Sequence, residues 1–375
     1  MAIARFLADY LILGLSHGQL LVFSTAALPP TALPRARLSG HKSRLVALEP
    51  LLVRTETCEE HVLLSLDSAG GLCKWSLADG RCVQAVRSTI ASRPRGLRVV
   101  KKQKADAKDP VVVVYGASTE ILVLNAETLE AVLLWTGNVD WPLLVVSGRS
   151  RILTLLPDGQ VQGWGLDSRG GGTGEGGGGD GGGRTVLAIE RDHTRRFFVE
   201  KREEWGPVKG FERVSEKGYV VIQTGGVTAF AAEDSRFVLK EAVAVDWERG
   251  LSGFQAIPKK GASKGLILLW SDDGESIVFE LSENNSFQQT IRISADFMKQ
   301  DAGMMRITAM AFTRREGDKC AIVALCQRKL QPGIQLEEDA VEPRAGFAVG
   351  VFSTKNAGSD IEWTENNEGL HIYLI

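Results

Sequence analysis

The stretch His61-Val-Leu-Leu-Ser-Leu-Asp-Ser-Ala-Gly-Gly-Leu-Cys-Lys-Trp-Ser76 contains two strand-sized apolar runs with a short polar turn between them. The turn holds Asp67 and a Gly-Gly pair, and glycine supplies the positive φ angles that tight turns require. The second run ends close to an aromatic residue, Trp75. This segment therefore predicts a β-hairpin.

The same pattern recurs along the chain, and internal repeats are the first signal to weigh when a fold is predicted. The other copies are Leu11–Ser24, Val112–Leu124, Ile152–Trp164, Tyr219–Phe230, Leu266–Phe279 and a stretched copy, Ala321–Phe352. Their second strands align on Phe23, Trp75, Leu124, Trp164, Phe230, Phe279 and Phe352. These positions lie 40 to 73 residues apart, and the two widest gaps contain a glycine-rich and an acidic insertion.

Further short strands are predicted between the hairpins, at 44–48, 82–86, 96–100, 131–135, 141–146 and 307–312. The result is about four strands per unit and about seven units, a pattern that closes as a β-propeller. A double sandwich would not repeat at this period. The predicted fold is all-β, a propeller of about seven four-stranded blades. It forms one domain over 1–375, with a flexible glycine-rich insertion at 168–184 and an acidic loop insertion at about 330–345.

The first unit is predicted to lack its innermost strand, because only about ten residues precede the first hairpin. The C-terminal segment Gly369–Ile375 is one candidate to supply that strand, as in many propellers. The alternative is that the chain is a shortened version of a longer protein.

One unit carries most of a known repeat signature. His41 follows Gly40 and stands twenty-six residues before Asp67 and thirty-four before Trp75. This set resembles the WD repeat, in which a His, an Asp and a Trp form a hydrogen-bonded structural network. Ser76 stands where the family has its second Asp, and the other units are more degenerate. His41 could instead be a metal ligand or a general base, but the structural role is the prediction.

A narrower resemblance rests on several segments in order. They are Leu38-Ser-Gly-His-Lys-Ser43, Asp67 to Cys82, Glu120 to Glu130 with Asp140-Trp141, and Leu269 to Leu281. Together they resemble the N-terminal propeller of rabconnectin beta subunits. That resemblance implies a non-catalytic subunit that regulates assembly of the vacuolar proton pump (V-ATPase) and vesicle acidification. It also implies two kinds of partner, a second large WD-repeat subunit and peripheral V-ATPase subunits. Members of that family are much longer than this chain.

Two other functions stay open. One is a WD-repeat adaptor in another complex, in ubiquitin ligation or trafficking. The other is a propeller hydrolase, which would need acidic or histidine residues converging at one channel mouth. Gly14-Leu-Ser-His-Gly18 matches the nucleophile elbow of hydrolases, but a strand rather than a helix is predicted after it. No converging Ser, His and Asp set is recognised, so no catalytic residue is assigned.

Composition limits the remaining classes. The net charge of −2 indicates no nucleic-acid partner, and no apolar run approaches the length of a membrane span. The five cysteines form no CxxC pair, which favours reduced thiols and no zinc site. No metal or cofactor site is predicted. The expected location is cytoplasmic, with at most peripheral association with endosomal or vacuolar membranes.

Four tryptophans lie outside the aligned second-strand positions: Trp141, Trp205, Trp247 and Trp363. Tryptophan is enriched among the residues that dominate binding energy at protein interfaces. These four are therefore the candidate partner-surface residues.

Overall fold

The computed structural model describes most of the chain. The described residues are 3–7, 10–24, 34–54, 59–87, 93–100, 110–135, 142, 144–147, 151–169, 186–198, 202–233, 236–247, 250–257, 265–271, 275–282, 284–293, 305–314, 320–328, 346–357, 360–365 and 371–374. Within them the strands form seven antiparallel sheets, and the one helical element is a 3-10 turn at Glu203–Trp205.

Each sheet is built from consecutive strands. Sheet 1 contains β1 (Ile3–Leu7), β2 (Tyr10–Gly14), β3 (Leu20–Ser24) and β4 (Ala36–Leu38). Sheet 2 contains β5 (Leu45–Arg54), β6 (Glu59–Asp67), β7 (Gly71–Ser76) and β8 (Cys82–Arg87). Sheet 3 contains β9 (Pro94–Val100), β10 (Val111–Gly116), β11 (Ile121–Asn125) and β12 (Ala131–Trp135). Sheet 4 contains β13 (Leu144–Ser147), β14 (Arg151–Leu155), β15 (Gln160–Arg169) and β16 (Val186–Phe198).

The remaining sheets repeat this order. Sheet 5 contains β17 (Val208–Arg213), β18 (Gly218–Gln223), β19 (Gly226–Glu233) and β20 (Arg236–Ala244). Sheet 6 contains β21 (Leu251–Ile257), β22 (Gly265–Ser271), β23 (Ser276–Leu281) and β24 (Phe287–Ile293). Sheet 7 contains β25 (Met305–Arg314), β26 (Cys320–Arg328), β27 (Gly346–Ala357) and β28 (Asp360–Glu365), and β29 (His371–Leu374) also pairs with β27.

The chain divides into two compact units. One comprises residues 1–39, 202–231 and 239–375 and contains sheets 1, 5, 6 and 7 apart from the end of β19 and the start of β20. The other comprises residues 40–201 and 232–238 and contains sheets 2, 3 and 4.

The predicted repeat is confirmed by strand register. In each sheet the aligned residue of the third strand pairs with a residue of the second strand, as Trp75 pairs with Leu63 and Trp164 with Ile152. The aligned side chains whose burial is known are all buried: Phe23, Trp75, Leu124, Trp164, Phe230 and Phe279. The hairpin is therefore the repeating unit of the core, and the prediction of seven mostly four-stranded sheets is correct.

A second repeating feature was not predicted. The first strand of sheets 2, 3, 5, 6 and 7 has a β-bulge after its start, and the residue that follows the bulged residue is always small. Those small residues are Ala47, Gly96, Gly210, Gly253 and Ala309. At three of them a Cβ would overlap a ring: Tyr115 at Gly96, Phe254 at Gly210 and Trp270 at Gly253. Three of the bulged side chains, Arg95, Lys209 and Ser252, are exposed, whereas the bulged Val46 of sheet 2 packs partly buried against the core.

The core of the second unit lies between its sheets. The run Val111–Val114 is buried on both faces, because alternate side chains point to opposite sides of a strand. Val112 and Val114 pack against sheet 2, whereas Val111 and Val113 pack against sheet 4. This double burial explains the continuous apolar run in the sequence.

A buried lysine also joins sheets 2 and 3. Lys74 Nζ donates to the carbonyl oxygens of Ala126 at 3.3 Å and Glu127 at 2.8 Å. Burial lowers the pKa of Lys74, and the carboxylates of Glu127 and Glu60 oppose that shift.

The expectation about the first unit is wrong. Ile3–Leu7 forms β1 and pairs with β2, so sheet 1 has four strands. About five residues suffice for a strand, and the short N-terminal segment therefore has room for one. The C-terminal strand β29 pairs instead with the first half of β27 in sheet 7, beside β28 on its second half.

The two predicted insertions fall largely outside the described residues, which end at Arg169 and resume at Val186, and end at Arg328 and resume at Gly346. Both insertions and the single-domain organisation stay predictions.

Candidate functional site

The structure brings His41, Asp67 and Trp75 together through a fourth residue, Ser65. His41 Nδ1 lies 2.9 Å from Asp67 Oδ2, and His41 Nε2 lies 2.6 Å from Ser65 Oγ. Trp75 Nε1 donates to Ser65 Oγ at 2.7 Å. Because a carboxylate can only accept, His41 Nδ1 donates to Asp67, and in the neutral imidazole Nε2 then accepts from the serine hydroxyl. Every donor in this series of hydrogen bonds, which runs from Trp75 through Ser65 and His41 to Asp67, thus has an acceptor.

Asp67 also shapes the turn that follows it. Its Oδ1 accepts hydrogen bonds from the backbone N–H groups of Ala69 at 2.9 Å and Gly71 at 2.8 Å. Gly70 adopts a positive φ of 88° within this turn. The carboxylate therefore fixes both the turn and the loop that carries His41.

Ser65, His41 and Asp67 have the hydrogen-bond order of a hydrolase triad, a convergence that sequence reasoning missed. The set is closed to substrate: Ser65 is 0% exposed, and its oxygen already engages two side chains. A nucleophile must reach the reacting atom, and this one cannot. The only sequence signal for Ser65 is its position two residues before Asp67 and ten before Trp75.

Sheet 4 carries part of the same network. Trp164 Nε1 donates to Thr154 Oγ1 at 3.2 Å, with the ten-residue spacing that separates Ser65 from Trp75. The Trp164 ring packs edge-on against Trp135 of sheet 3, with centroids 3.7 Å apart. The unit is degenerate because the position equivalent to Asp67 is Leu156.

In sheet 5 a glutamine takes the position of Asp67. Residues 68, 117 and 224 each donate a backbone hydrogen bond to the residue just before the first strand of their sheet, which makes Gln223 and Asp67 equivalent. Gln223 is 2% exposed, and its Nε2 donates to the carbonyls of Arg202 at 2.9 Å and Gly206 at 2.8 Å. Its Oε1 accepts from Arg202 N at 3.2 Å. In sheet 5 the side-chain amide of Gln223 thus fixes the loop before the first strand, whereas in sheet 2 Asp67 and His41 fix the corresponding loop.

The four predicted partner-surface tryptophans do not form one group. Trp141 lies outside the described residues, and Trp363 is described only as a backbone position in β28. Trp205 is buried at 8% exposure and packs against Gly226, with the Arg202 guanidinium 4.9 Å above its ring. Trp247 packs partly buried against the core between sheets 5 and 6. The Trp205 ring is therefore interior rather than surface, and the partner-surface role stays a prediction for the others.

The exposed charges of sheets 2 and 3 are separated by sign. The end that carries the turns at 67–71 and 116–120 is called the turn end. Its exposed charged side chains, within the described residues of these two sheets and the segments preceding them, are Lys42, Arg44, Arg93 and Arg95. At the opposite end, among the residues whose burial the structure describes, the exposed charged side chains are Asp79, Arg81, Glu127 and Glu130. The turn end is thus basic, and the opposite end is net acidic.

Two cysteines of sheet 2 differ sharply in exposure. Cys73 is buried and Cys82 is exposed, and both are free thiols. Burial, followed by the proximity of Cys82, raises the pKa of Cys73 to about 12.

Within the described ranges no group of three His, Cys, Asp or Glu side chains is placed to hold a metal ion. In the same part of the chain, no helix has the length and apolar character that a membrane crossing requires.

Comparison with known proteins defines the class. No protein-family model matches the chain. A curated relative, an uncharacterized WD repeat-containing protein of Schizosaccharomyces pombe, is 23% identical over 172 residues, which cover 42% of this chain. The match spans 15% of that relative's length.

Solved structures share the fold at low identity. The C-terminal WD40 domain of Sif2 matches 84% of this chain and 75% of that domain, with a TM-score of 0.51 and 14% identity. The β-propeller domain of Cps50 (Swd1) from Myceliophteria thermophila matches 86% of this chain and 95% of its own, with a TM-score of 0.53 and 12% identity. BBS1N, solved in complex with ARL6DN, matches 86% of this chain and 88% of its own, with a TM-score of 0.53 and 14% identity. The chain therefore has the WD40 β-propeller fold with degenerate repeats.

Proposed function

We propose that this chain is a non-catalytic protein-interaction scaffold. The observation that carries the proposal is the closed network in sheet 2. The Ser, His and Asp that could have performed chemistry are buried and saturated with one another. Their hydrogen bonds fix a turn and a loop, and rigid sheets that carry such loops are suited to binding other proteins.

The finer proposal is a rabconnectin-type role. Its support is the sequence resemblance over Leu38–Ser43, Asp67–Cys82 and Glu120–Glu130, segments that contain the network loop, its turn and the third strands β7 and β11. The proposed partners are a second large WD-repeat subunit and peripheral subunits of the V-ATPase. The proposed location is cytoplasmic, with peripheral association with endosomal or vacuolar membranes through those partners.

Affinity purification of the tagged full chain from its own cells tests this role. Proteins recovered with the chain are quantified by mass spectrometry against an unrelated WD40 propeller that carries the same tag. Enrichment of peripheral V-ATPase subunits together with a second large WD-repeat protein is expected. Enrichment of ubiquitin-ligase or trafficking components instead would retain the scaffold and refute the rabconnectin-type role. Recovery of the same proteins by both baits would contradict the scaffold itself.

A further inference from the structure

Four exposed basic side chains lie at the turn end of sheets 2 and 3. Lys42 and Arg44 belong to the segment between the network histidine and β5, whereas Arg93 and Arg95 flank the first residue of β9. All four side chains are exposed. Their proximity follows from contacts made elsewhere in the same two sheets.

The first strands of the two sheets run side by side. Glu49, the fifth residue of β5, forms an ion pair with Arg98, the fifth residue of β9, with Nη1 and Oε2 3.8 Å apart. Both strands begin at the turn end, because the carbonyl oxygens of Arg44 and Arg93, just before them, accept hydrogen bonds from Ser68 N at 2.7 Å and Ala117 N at 2.9 Å. The residues at the two strand starts are therefore neighbours.

The backbone under this cluster is held firmly. His41, next to Lys42, is anchored to Asp67, and the hydrogen bonds to Ser68 and Ala117 tie the segments before both strands to the adjacent turns. Arg95 is the bulged residue of β9, and its side chain is directed outward while Gly96 packs against Tyr115. The backbone positions that carry the cluster are therefore held in place, so that binding needs little ordering of the main chain.

We propose that this basic cluster binds an acidic segment of a partner protein. Three of the four side chains are arginines, whose planar guanidinium groups suit bidentate contacts with carboxylates. The exposed charges at the opposite end of the same sheets are net acidic and would repel an acidic segment. This repulsion favours binding of the segment at the turn end. Binding to an anionic membrane or to a nucleic acid is favoured by a broad positive field over the protein surface, whereas the whole chain carries a net charge of −2. The net charge therefore favours a protein segment as the ligand.

This inference rests on the proposed scaffold function and specifies the chemistry of one partner. The probe is a short fluorescein-labelled peptide of alternating glutamate and glycine, titrated with the full chain and followed by fluorescence anisotropy. The double variant R93E/R95E is expected to bind at least about tenfold more weakly. The matched control is R81E, which reverses an exposed charge at the opposite end of sheet 2 and is expected to bind as the wild type does. Thermal unfolding midpoints confirm that the variants are folded.

Equal binding by the wild type and R93E/R95E would overturn the proposal. The proposal would also be overturned if the wild type bound phosphatidylserine vesicles or single-stranded oligouridylate more strongly than the peptide and R93E/R95E lost that binding. Purification from cells separates the two levels: R93E/R95E is expected to lose partners that R81E retains. If the wild type recovers no specific partner, the scaffold function fails, whereas the peptide titration still decides the chemistry of the cluster.

Discussion

Asp67 uses both carboxylate oxygens, accepting from His41 Nδ1 and from the N–H groups of Ala69 and Gly71. Asp67 is 4% exposed and its bond to His41 is buried, so His41 Nδ1 would lose its acceptor away from water if the carboxylate were removed. At the residue scale, removal of this one polar side chain is therefore expected to destabilise sheet 2.

Replacement of Asp67 by alanine is expected to lower the free energy of unfolding by about 2–4 kcal/mol, because one buried donor and two partly buried donors lose their acceptor. The control is Asp158→Ala in the turn of sheet 4. Asp158 is exposed and accepts from Gln160 N at 2.7 Å, so a loss below about 1 kcal/mol is expected. Urea unfolding of both variants measures the difference, and equal losses would refute the role assigned to Asp67.

Thiol labelling is expected to separate Cys73 from Cys82. The raised pKa of about 12 keeps Cys73 protonated through neutral and mildly alkaline pH, and the thiolate is the reactive form. Cys82 is exposed and is expected to react with iodoacetamide in the folded chain, whereas Cys73 is expected to react only after denaturation. Peptide mass spectrometry reads the two sites, and rapid native labelling of Cys73 would contradict its burial.

At the element scale, the recurring bulge explains why certain glycines stand in strand interiors. Glycine weakens a strand unless a close approach requires it. Here Gly96, Gly210 and Gly253 follow the bulged residue and leave room for the rings of Tyr115, Phe254 and Trp270. The bulge and the small residue after it therefore occur together as one recurring structural feature.

Replacement of Gly253 by alanine is expected to destabilise the chain by about 1–3 kcal/mol, because the new methyl group overlaps the Trp270 indole. Gly163→Ala serves as the control. A Cβ there lies 3.5 Å from Leu153 Cδ2, an ordinary contact, and the expected change is within about 0.5 kcal/mol. Chemical denaturation of both variants compares them, and a neutral Gly253→Ala would show that the ring is not confined by β21.

The elements were predictable to different degrees. The hairpins could be read because strands such as Val111–Gly116 are buried on both faces and therefore appear as apolar runs next to turn residues. The bulges could not, since a bulge is a mismatch between two strands and one strand alone does not show it. Strand β1 was missed because a five-residue segment carries too little pattern.

The candidate site shows the same limit. The spacing of His41, Asp67 and Trp75 revealed three members of the network, but serine is too common for Ser65 to stand out. Gln223 gave no signal, because its equivalence to Asp67 depends on backbone hydrogen bonds in two different sheets. The basic cluster depends on the adjacency of β5 and β9, which the sequence separates by about forty residues.

At the scale of the whole molecule, the WD40 β-propeller fold does not by itself distinguish a scaffold from an enzyme. The distinction depends on the chemistry of particular residues. The central claim is that Ser65, His41 and Asp67 form a structural network and perform no chemistry. This claim is supported by Ser65 Oγ, which is hydrogen-bonded to both Trp75 and His41. A hydrolase would need that oxygen to be reachable and its histidine to exchange a proton with substrate.

The most direct measurement is treatment of the folded full chain with a fluorophosphonate probe, followed by mass spectrometry of the peptide that contains Ser65. A serine hydrolase added to the same sample shows that the probe is active. No modification of Ser65 in the native chain is the predicted result. Stoichiometric modification of Ser65, lost in His41→Ala, would contradict the account and identify the chain as an enzyme.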